Sequence, residues 1–104
     1  MKTKRIQLKR SKGWRLPPNT VVVARPSKWG NPWRVGRWSS SLQRHMSNAD
    51  AVLRFRTELM AAKAGNFRAL REAAKTELRG KNLACWCAPG TPCHADVLLE
   101  IANA

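Results

Sequence analysis

Cysteine and histidine side chains are concentrated near the C-terminus of the chain. Residues 83–97 contain all three cysteines and one of the two histidines. Cys85 and Cys87 lie at the end of an apolar run. Cys93 and His94 follow a loop that contains proline and glycine. Thiols and imidazoles serve as nucleophiles, acid–base groups and metal ligands, so this segment is the first candidate for chemistry.

The residues after the loop predict a helix with a reactive thiol in its first turn. Thr91 is a suitable N-cap, and Pro92 fits the first helical position, where its missing N–H costs nothing. Cys93 would then meet free backbone N–H groups, which bind anions and favour a thiolate. In this interpretation Cys93 and His94 are the catalytic pair. Asp96 supports them by orienting the base or by binding a sugar hydroxyl.

Zinc provides a different interpretation of the same residues. Its ligands would be Cys85, Cys87, Cys93 and His94. The spacing is unusual, because structural zinc ligands are mostly separated by about two to four residues. We therefore favour no cofactor, with zinc as the one alternative. In the plainest interpretation the cysteines fill the core, and His94 and Asp96 cap or cover the last helix.

The hydrophobic pattern predicts the elements that position these residues. It indicates one α/β domain over residues 1–104, with about three strands and three helices. The predicted strands are 5–9, 21–24 and 81–86, and the predicted helices are 48–64, 67–79 and 92–101. The run at 21–24 (VVVA) is typical of a strand buried on both faces. Two helices separate it from the strand at 81–86, so a crossover should make these two strands parallel.

Parallel strands bring their carboxyl ends to the same edge of the sheet, where open α/β sheets bind ligands. The loop 27–33 follows one of the two strands, and the loop 87–91 follows the other. We therefore expect these loops to face each other across a crevice. Trp86, on the strand itself, is expected in the core.

Charge divides the chain into two parts. Residues 1–45 contain 12 Lys and Arg and no acidic residue, whereas residues 46–104 contain 8 Lys and Arg and 6 acidic residues. A net charge of +14 concentrated in one part indicates a polyanionic partner, either nucleic acid or a phosphorylated small molecule.

Tryptophans are interleaved with the cations of the basic part. This arrangement suits an indole that stacks on a base while the cation binds phosphate. Asn31 reads a base edge or braces its loop. The predicted ligand contacts are Trp14, Arg15, Lys28, Trp29, Gly30, Asn31, Trp33, Arg34 and Thr91.

Three segments together resemble a known family. They are 12–15 (KGWR) with 18–20 (PNT), 28–32 (KWGNP), and 83–87 (LACWC) followed by 93–96 (CHAD). They are similar to a small domain of unknown function found in phages and bacteria, over nearly the whole chain. Trp33 stands where that family has phenylalanine. The pair Cys93 and His94 more weakly resembles a second uncharacterised family with a Cys-His-Arg signature, whose arginine is replaced here by Ala95. The resemblance implies a shared site and assigns no reaction.

These observations predict binding of a nucleotide or nucleic-acid segment at the strand ends. The Cys/His site would then process a nucleotide or nucleoside bond. Two alternatives remain open: a basic, non-catalytic protein that binds nucleic acid or blocks a host enzyme, and a zinc-stabilised binding module. With no signal peptide, no membrane-length apolar run and an odd number of cysteines, we expect the cytoplasm of a bacterial cell and no membrane partner.

Overall fold

The computed structural model describes residues 3–104 and shows a mixed α/β domain. The strands are β1 (Arg5–Gln7), β2 (Thr20–Val22), β3 (Trp38–Ser39), β4 (Arg44–His45) and β5 (Asn82–Cys85). The helices are α1 (Asn48–Ala61), α2 (Gly65–Glu77) and α3 (His94–Ala102). Strands β1, β5 and β2 form a parallel sheet in that order, and β3 and β4 form a separate antiparallel pair. The predicted α/β class and the predicted parallel crossover are confirmed.

Strand β5 is the centre of the sheet. Ala84 lies between Ile6 of β1 and Val22 of β2 in register. Leu83 and Ala84 have no exposed surface, as expected for a strand with neighbours on both edges and helices against it. The carboxyl ends of all three strands therefore lie at one edge, which is where the Cys/His segment begins.

The β-branched run at residues 21–24 differs from its prediction. The strand covers Thr20–Val22, and Val22 is 38% exposed, so it is not buried on both faces. The reason is its position at the edge of the sheet, with β5 on only one side. Val23 and Ala24, just beyond the strand, are the residues of this run that enter the core.

Helix α1 begins where the sequence predicts. The Ser47 side chain accepts a bond from the Asp50 N–H, and the Asp50 carboxylate accepts one from the Ser47 N–H. This reciprocal pair is the capping box expected from the residue types. The bond from the Ser47 backbone, together with the Arg44 guanidinium, lowers the pKa of Asp50.

We expect Ser47→Ala to lower the free energy of unfolding by about 1 kcal/mol, because the Asp50 N–H loses its acceptor. Urea denaturation measures the change. Thr57→Ala on the exposed face of α1 is the control, because its hydroxyl only donates to Leu53 of its own helix. Equal stability of Ser47→Ala and wild type would contradict this role of the cap.

Two other elements differ from the sequence pattern, which indicates a cap at Asn66 for the helix 67–79 and irregular structure over 35–46. Helix α2 begins at Gly65 after an N-cap at Ala64 that makes no side-chain hydrogen bond, so Asn66 is inside the helix. Strands β3 and β4 pair within the segment 35–46, which is therefore not wholly irregular. The core joins all three helices to the sheet through Phe55, Leu78, Leu83 and Leu98, each without exposed surface. Within residues 3–104, no helix is long and apolar enough to span a bilayer.

Candidate functional site

A pocket of about 260 Å³ lies at the carboxyl ends of β2 and β5. Its walls come from four segments: the end of β2, the loop 31–35, the first turns of α1, and the Cys/His segment. The lining residues are Ala24, Arg25, Asn31, Trp33, Val35, Asn48, Ala51, Val52, Cys85, Trp86, Cys87, Cys93 and His94. The tryptophan-bearing loop and the thiol-bearing loop thus both reach the pocket, as the parallel strands predicted.

Four Cys and His side chains meet at the floor of this pocket. The Sγ atoms of Cys85 and Cys87 are 3.8 Å apart. The Nδ1 atom of His94 lies 4.0 Å from the Cys85 Sγ and 3.9 Å from the Cys93 Sγ. The ligand atoms of Cys85, Cys93 and His94 are all within 4.8 Å of one another, which makes these three residues a candidate metal-binding cluster.

The orientation of His94 is set by a bond on the far side of its ring. Its Nε2 lies 2.7 Å from the Val23 carbonyl oxygen. A carbonyl can only accept, so Nε2 carries the proton and donates. With Nε2 as the donor, the neutral ring presents the lone pair of Nδ1 to the thiols. Phe55 packs edge-to-face against the same ring at 5.5 Å and keeps it in place.

The three thiols do not share charge equally. A hydrogen bond from the Cys93 thiol lowers the pKa of Cys85, although burial opposes this. Donation to Cys85, with burial, raises the pKa of Cys93. Burial raises the pKa of Cys87. The cluster therefore favours negative charge on Cys85, whereas the sequence predicted it on Cys93.

The expected start of the last helix was wrong by two residues. Helix α3 begins at His94, and Cys93 is its N-cap without a side-chain bond. Thr91 does not cap the helix because its hydroxyl and its N–H both donate to the Ala88 carbonyl and close the preceding turn. Cys93 is 1% exposed, so its thiol faces the cluster rather than solvent.

Asp96 lies outside the pocket lining and binds Arg5. The Arg5 guanidinium donates to the Asp96 carboxylate at 2.8 Å and also to the carbonyls of Ala88 and Thr91. One arginine of β1 therefore fixes the loop that carries the thiols to the start of α3. The structure gives Asp96 a part in that clamp and does not bring it to Cys93 and His94.

Asn31 and Gly30, two of the predicted contact residues, determine the shape of the loop 27–33 beside the pocket. Asn31 is 8% exposed; its amide donates to Ala51 of α1 and its oxygen accepts from Trp33 N–H. It braces the loop, one of the two roles the sequence allowed. Gly30 has no room for a side chain, because a Cβ would come within 2.5 Å of the Arg25 Cγ. Glycine at this position therefore lets Arg25 lie close to the loop.

The other predicted contacts are dispersed. Trp29 is 4% exposed and belongs to the core, with the Lys28 ammonium 4.7 Å from its ring. Lys28 and Gly30 line a separate groove beside α2. Trp14, Arg15, Arg34 and Thr91 do not line the pocket.

Residues 6–104 match a family described as Domain of unknown function (DUF4326). The chain belongs to the DUF4326 family. This confirms the resemblance to an uncharacterised domain family, over nearly the whole chain. No curated protein and no solved structure matches this DUF4326 domain.

Trp86, like Arg25, lines the pocket of the DUF4326 domain although the sequence did not predict it as a ligand contact. It is 46% exposed rather than in the core, because β5 ends one residue earlier, at Cys85. The Arg10 guanidinium lies 5.0 Å from its ring. Trp33, on the opposite loop, stacks on Phe67 at 5.4 Å.

The charges of the DUF4326 domain are unevenly paired. Each of its six carboxylates lies within 4.0 Å of a Lys or Arg nitrogen. Among residues 3–45, eight cations have no carboxylate partner: Lys4, Lys9, Arg10, Lys12, Arg15, Arg25, Arg34 and Arg37. Also within the described part of the chain, no carboxylate lines the pocket. The positive charge of residues 3–45 is therefore mostly not neutralised by side-chain carboxylates.

Proposed function

We propose that this domain binds a nucleotide, or one nucleotide of a single-stranded nucleic acid, in the pocket at the carboxyl ends of β2 and β5. The observation that carries the proposal is that two indoles, those of Trp33 and Trp86, line one pocket and that no carboxylate of residues 3–104 lines it. A base stacked on an accessible indole gains about 1–3 kcal/mol of binding free energy, whichever base it is.

Cations next to the indoles supply the phosphate contacts. Arg25 lines the pocket, and Arg10 lies against the face of Trp86. The Leu8 N–H donates to the Cys85 carbonyl, so the chain leaving β1 passes this edge and continues into the basic loop 9–15. A polyanion held in the pocket would therefore extend toward a run of cations whose charge is not neutralised by acidic side chains.

Binding without catalysis is the form of the proposal that the geometry favours. The thiol proposed as a nucleophile, on Cys93, is 1% exposed and points to Cys85 and His94. The supporting carboxylate of Asp96 is bound to Arg5 instead. An attacking group needs access to the substrate as well as a base, and the buried Cys93 thiol lacks that access although the His94 Nδ1 lies 3.9 Å from it. We place the function in a reducing cytoplasm, because the cluster consists of free thiols.

Tryptophan fluorescence and anisotropy of labelled oligonucleotides test the proposal. We expect mononucleotides and a single-stranded 8-mer to bind, with Trp86→Ala lowering the affinity about 5- to 100-fold. Trp38→Ala is the matched control, because Trp38 is also exposed but is stacked edge-to-face on His45 away from the pocket.

The dependence on salt separates the pocket from the general basic surface. Arg25→Ala should weaken binding and reduce the slope of log affinity against log salt by about one phosphate contact. Equal losses for Trp86→Ala and Trp38→Ala, or no binding of any of these ligands, would overturn the proposed site.

A further inference from the structure

We propose that Cys85, Cys87, Cys93 and His94 hold one tetrahedral zinc ion at the floor of the pocket. Four of the chain's five Cys and His residues meet at this point, although they are spread over ten positions of sequence. Three thiolates and one imidazole are one of the ligand sets of structural zinc sites. The zinc ligands line the same pocket as the indoles but are different side chains, so the two proposals are tested with different variants.

The distances between the ligand atoms fit such an ion. With Zn–S of about 2.3 Å and Zn–N of about 2.0–2.1 Å, a tetrahedron puts two sulfurs about 3.8 Å apart and a sulfur and nitrogen about 3.6 Å apart. The Cys85 and Cys87 sulfurs are 3.8 Å apart. The two sulfurs next to the His94 Nδ1 are at 4.0 and 3.9 Å. Shifts of a few tenths of an ångström would bring these three pairs to zinc-bound separations. The Cys85 and Cys93 sulfurs, within 4.8 Å of each other, would have to approach further, and the Cys87 thiol, which is outside the cluster of Cys85, Cys93 and His94, would have to move toward it.

The imidazole is already oriented as a ligand. Zinc-bound histidines donate their second ring N–H to a carbonyl or carboxylate, which fixes the tautomer and raises the basicity of the ligating nitrogen. His94 makes this bond from Nε2 to the Val23 carbonyl, at 2.7 Å. A histidine that merely filled the core would not need its free nitrogen aimed at two sulfurs.

The backbone brings the distant ligands together. The loop after Cys87 contains Gly90, with φ +81°, and the Ala88–Thr91 turn closes it. Arg5 clamps two of its carbonyls, and the Asn48 amide donates to the Pro92 carbonyl at 2.7 Å. These contacts compensate for the unusual spacing of the ligands, which is what made zinc the less favoured interpretation of the sequence.

Binding of zinc at this site requires proton release but no change of oxidation state. Three thiol protons leave to solvent, and the ion with three thiolates and a neutral imidazole has a net charge of −1. The Arg25 guanidinium, which lines the same pocket and has no carboxylate partner within residues 3–104, is a cation that offsets this charge. Four protein ligands leave no open position, so the role of the ion is structural. It joins the end of β5 to the start of α3 and, through His94, to the end of β2.

Cobalt and zinc titrations of the reduced, metal-free full chain test the site. We expect one Co²⁺ per chain, with the visible absorption of tetrahedral coordination and a sulfur-to-cobalt charge-transfer band, and displacement by one Zn²⁺. We expect zinc binding to weaken by more than about 100-fold in each of Cys85→Ser, Cys93→Ser and His94→Ala. This exceeds the loss expected when a residue that only hydrogen-bonds to a metal ligand is replaced. Cys87→Ser should weaken zinc binding to the same extent and lose part of the charge-transfer intensity.

The controls keep the two proposals separable. His45→Ala removes the chain's other histidine, which lies in β4, and should bind one cobalt like wild type. Trp33→Ala should bind cobalt normally even where it binds nucleotide poorly. Folded wild type that takes up no cobalt, or a set of ligand variants that all keep wild-type affinity, would overturn the zinc site and leave the nucleotide site untouched.

Discussion

Replacing Phe55 with alanine is expected to lower the free energy of unfolding by about 3–5 kcal/mol, which is the usual cost of removing a buried aromatic ring. Phe55 has no exposed surface and lies on the inner face of α1. Its ring also packs against His94, so the cavity would open directly beneath the Cys/His cluster. The loss is a large fraction of the 5–15 kcal/mol that is typical of a domain.

Urea or thermal denaturation, in reductant, measures this effect. Leu53→Ala is the matched control, since it lies on the same helix and is 62% exposed, and it should change stability by no more than about 0.5 kcal/mol. Similar stabilities for the two variants would mean that the Phe55 side chain contributes little to the packing of α1 against α3.

The second large effect is expected from His94→Ala, at about 3 kcal/mol even when a chelator is present. The substitution leaves a cavity beside Phe55 and removes the donor that satisfies the Val23 carbonyl. Val23 itself has no exposed surface, so solvent cannot replace that bond readily. Chelator removes the metal contribution from both proteins, and the difference reports the imidazole's own contacts.

His45→Ala provides the comparison for this variant, because His45 is exposed and binds only the Gly36 carbonyl across its hairpin. It should stay within about 0.5 kcal/mol of wild type. A loss below about 1 kcal/mol for His94→Ala in chelator would show that the buried imidazole contributes little apart from any ion.

Features that depend on neighbouring residues were predictable from the sequence. The capping box of α1 needs only Ser47 and Asp50 three positions apart, and it forms as expected. The parallel pairing of β2 with β5 follows from two intervening helices, a rule that does not depend on exact strand ends. The meeting of the two loops at one edge then follows from the parallel pairing.

The sequence did not predict the position of residues that can adopt either of two local arrangements. Thr91 can cap a helix or close a turn, and the Pro-Gly loop makes it close the turn. Trp86 continues an apolar strand pattern, but the ladder ends at Cys85 and leaves its indole in the pocket wall. Trp29 has the same loop context as Trp33, yet it is the one that fills the core. For Thr91 a competing local turn decides the outcome, whereas for the two tryptophans the surrounding fold decides between two acceptable local states.

The position of β5 has a consequence for how the chain acquires its structure. The middle strand of the sheet is the last one to be synthesised, and Arg5 pairs with Leu83 across 78 positions of sequence. Because β1 and β2 each pair with β5 and not with each other, neither has a hydrogen-bonding partner in a nascent chain shorter than about eighty residues. Assembly of the sheet must wait for the C-terminal segment, so contacts of long sequence separation should limit the folding rate. A truncation just before β5 would leave β1 and β2, which lie in the strongly basic part of the chain, without a strand to pair with.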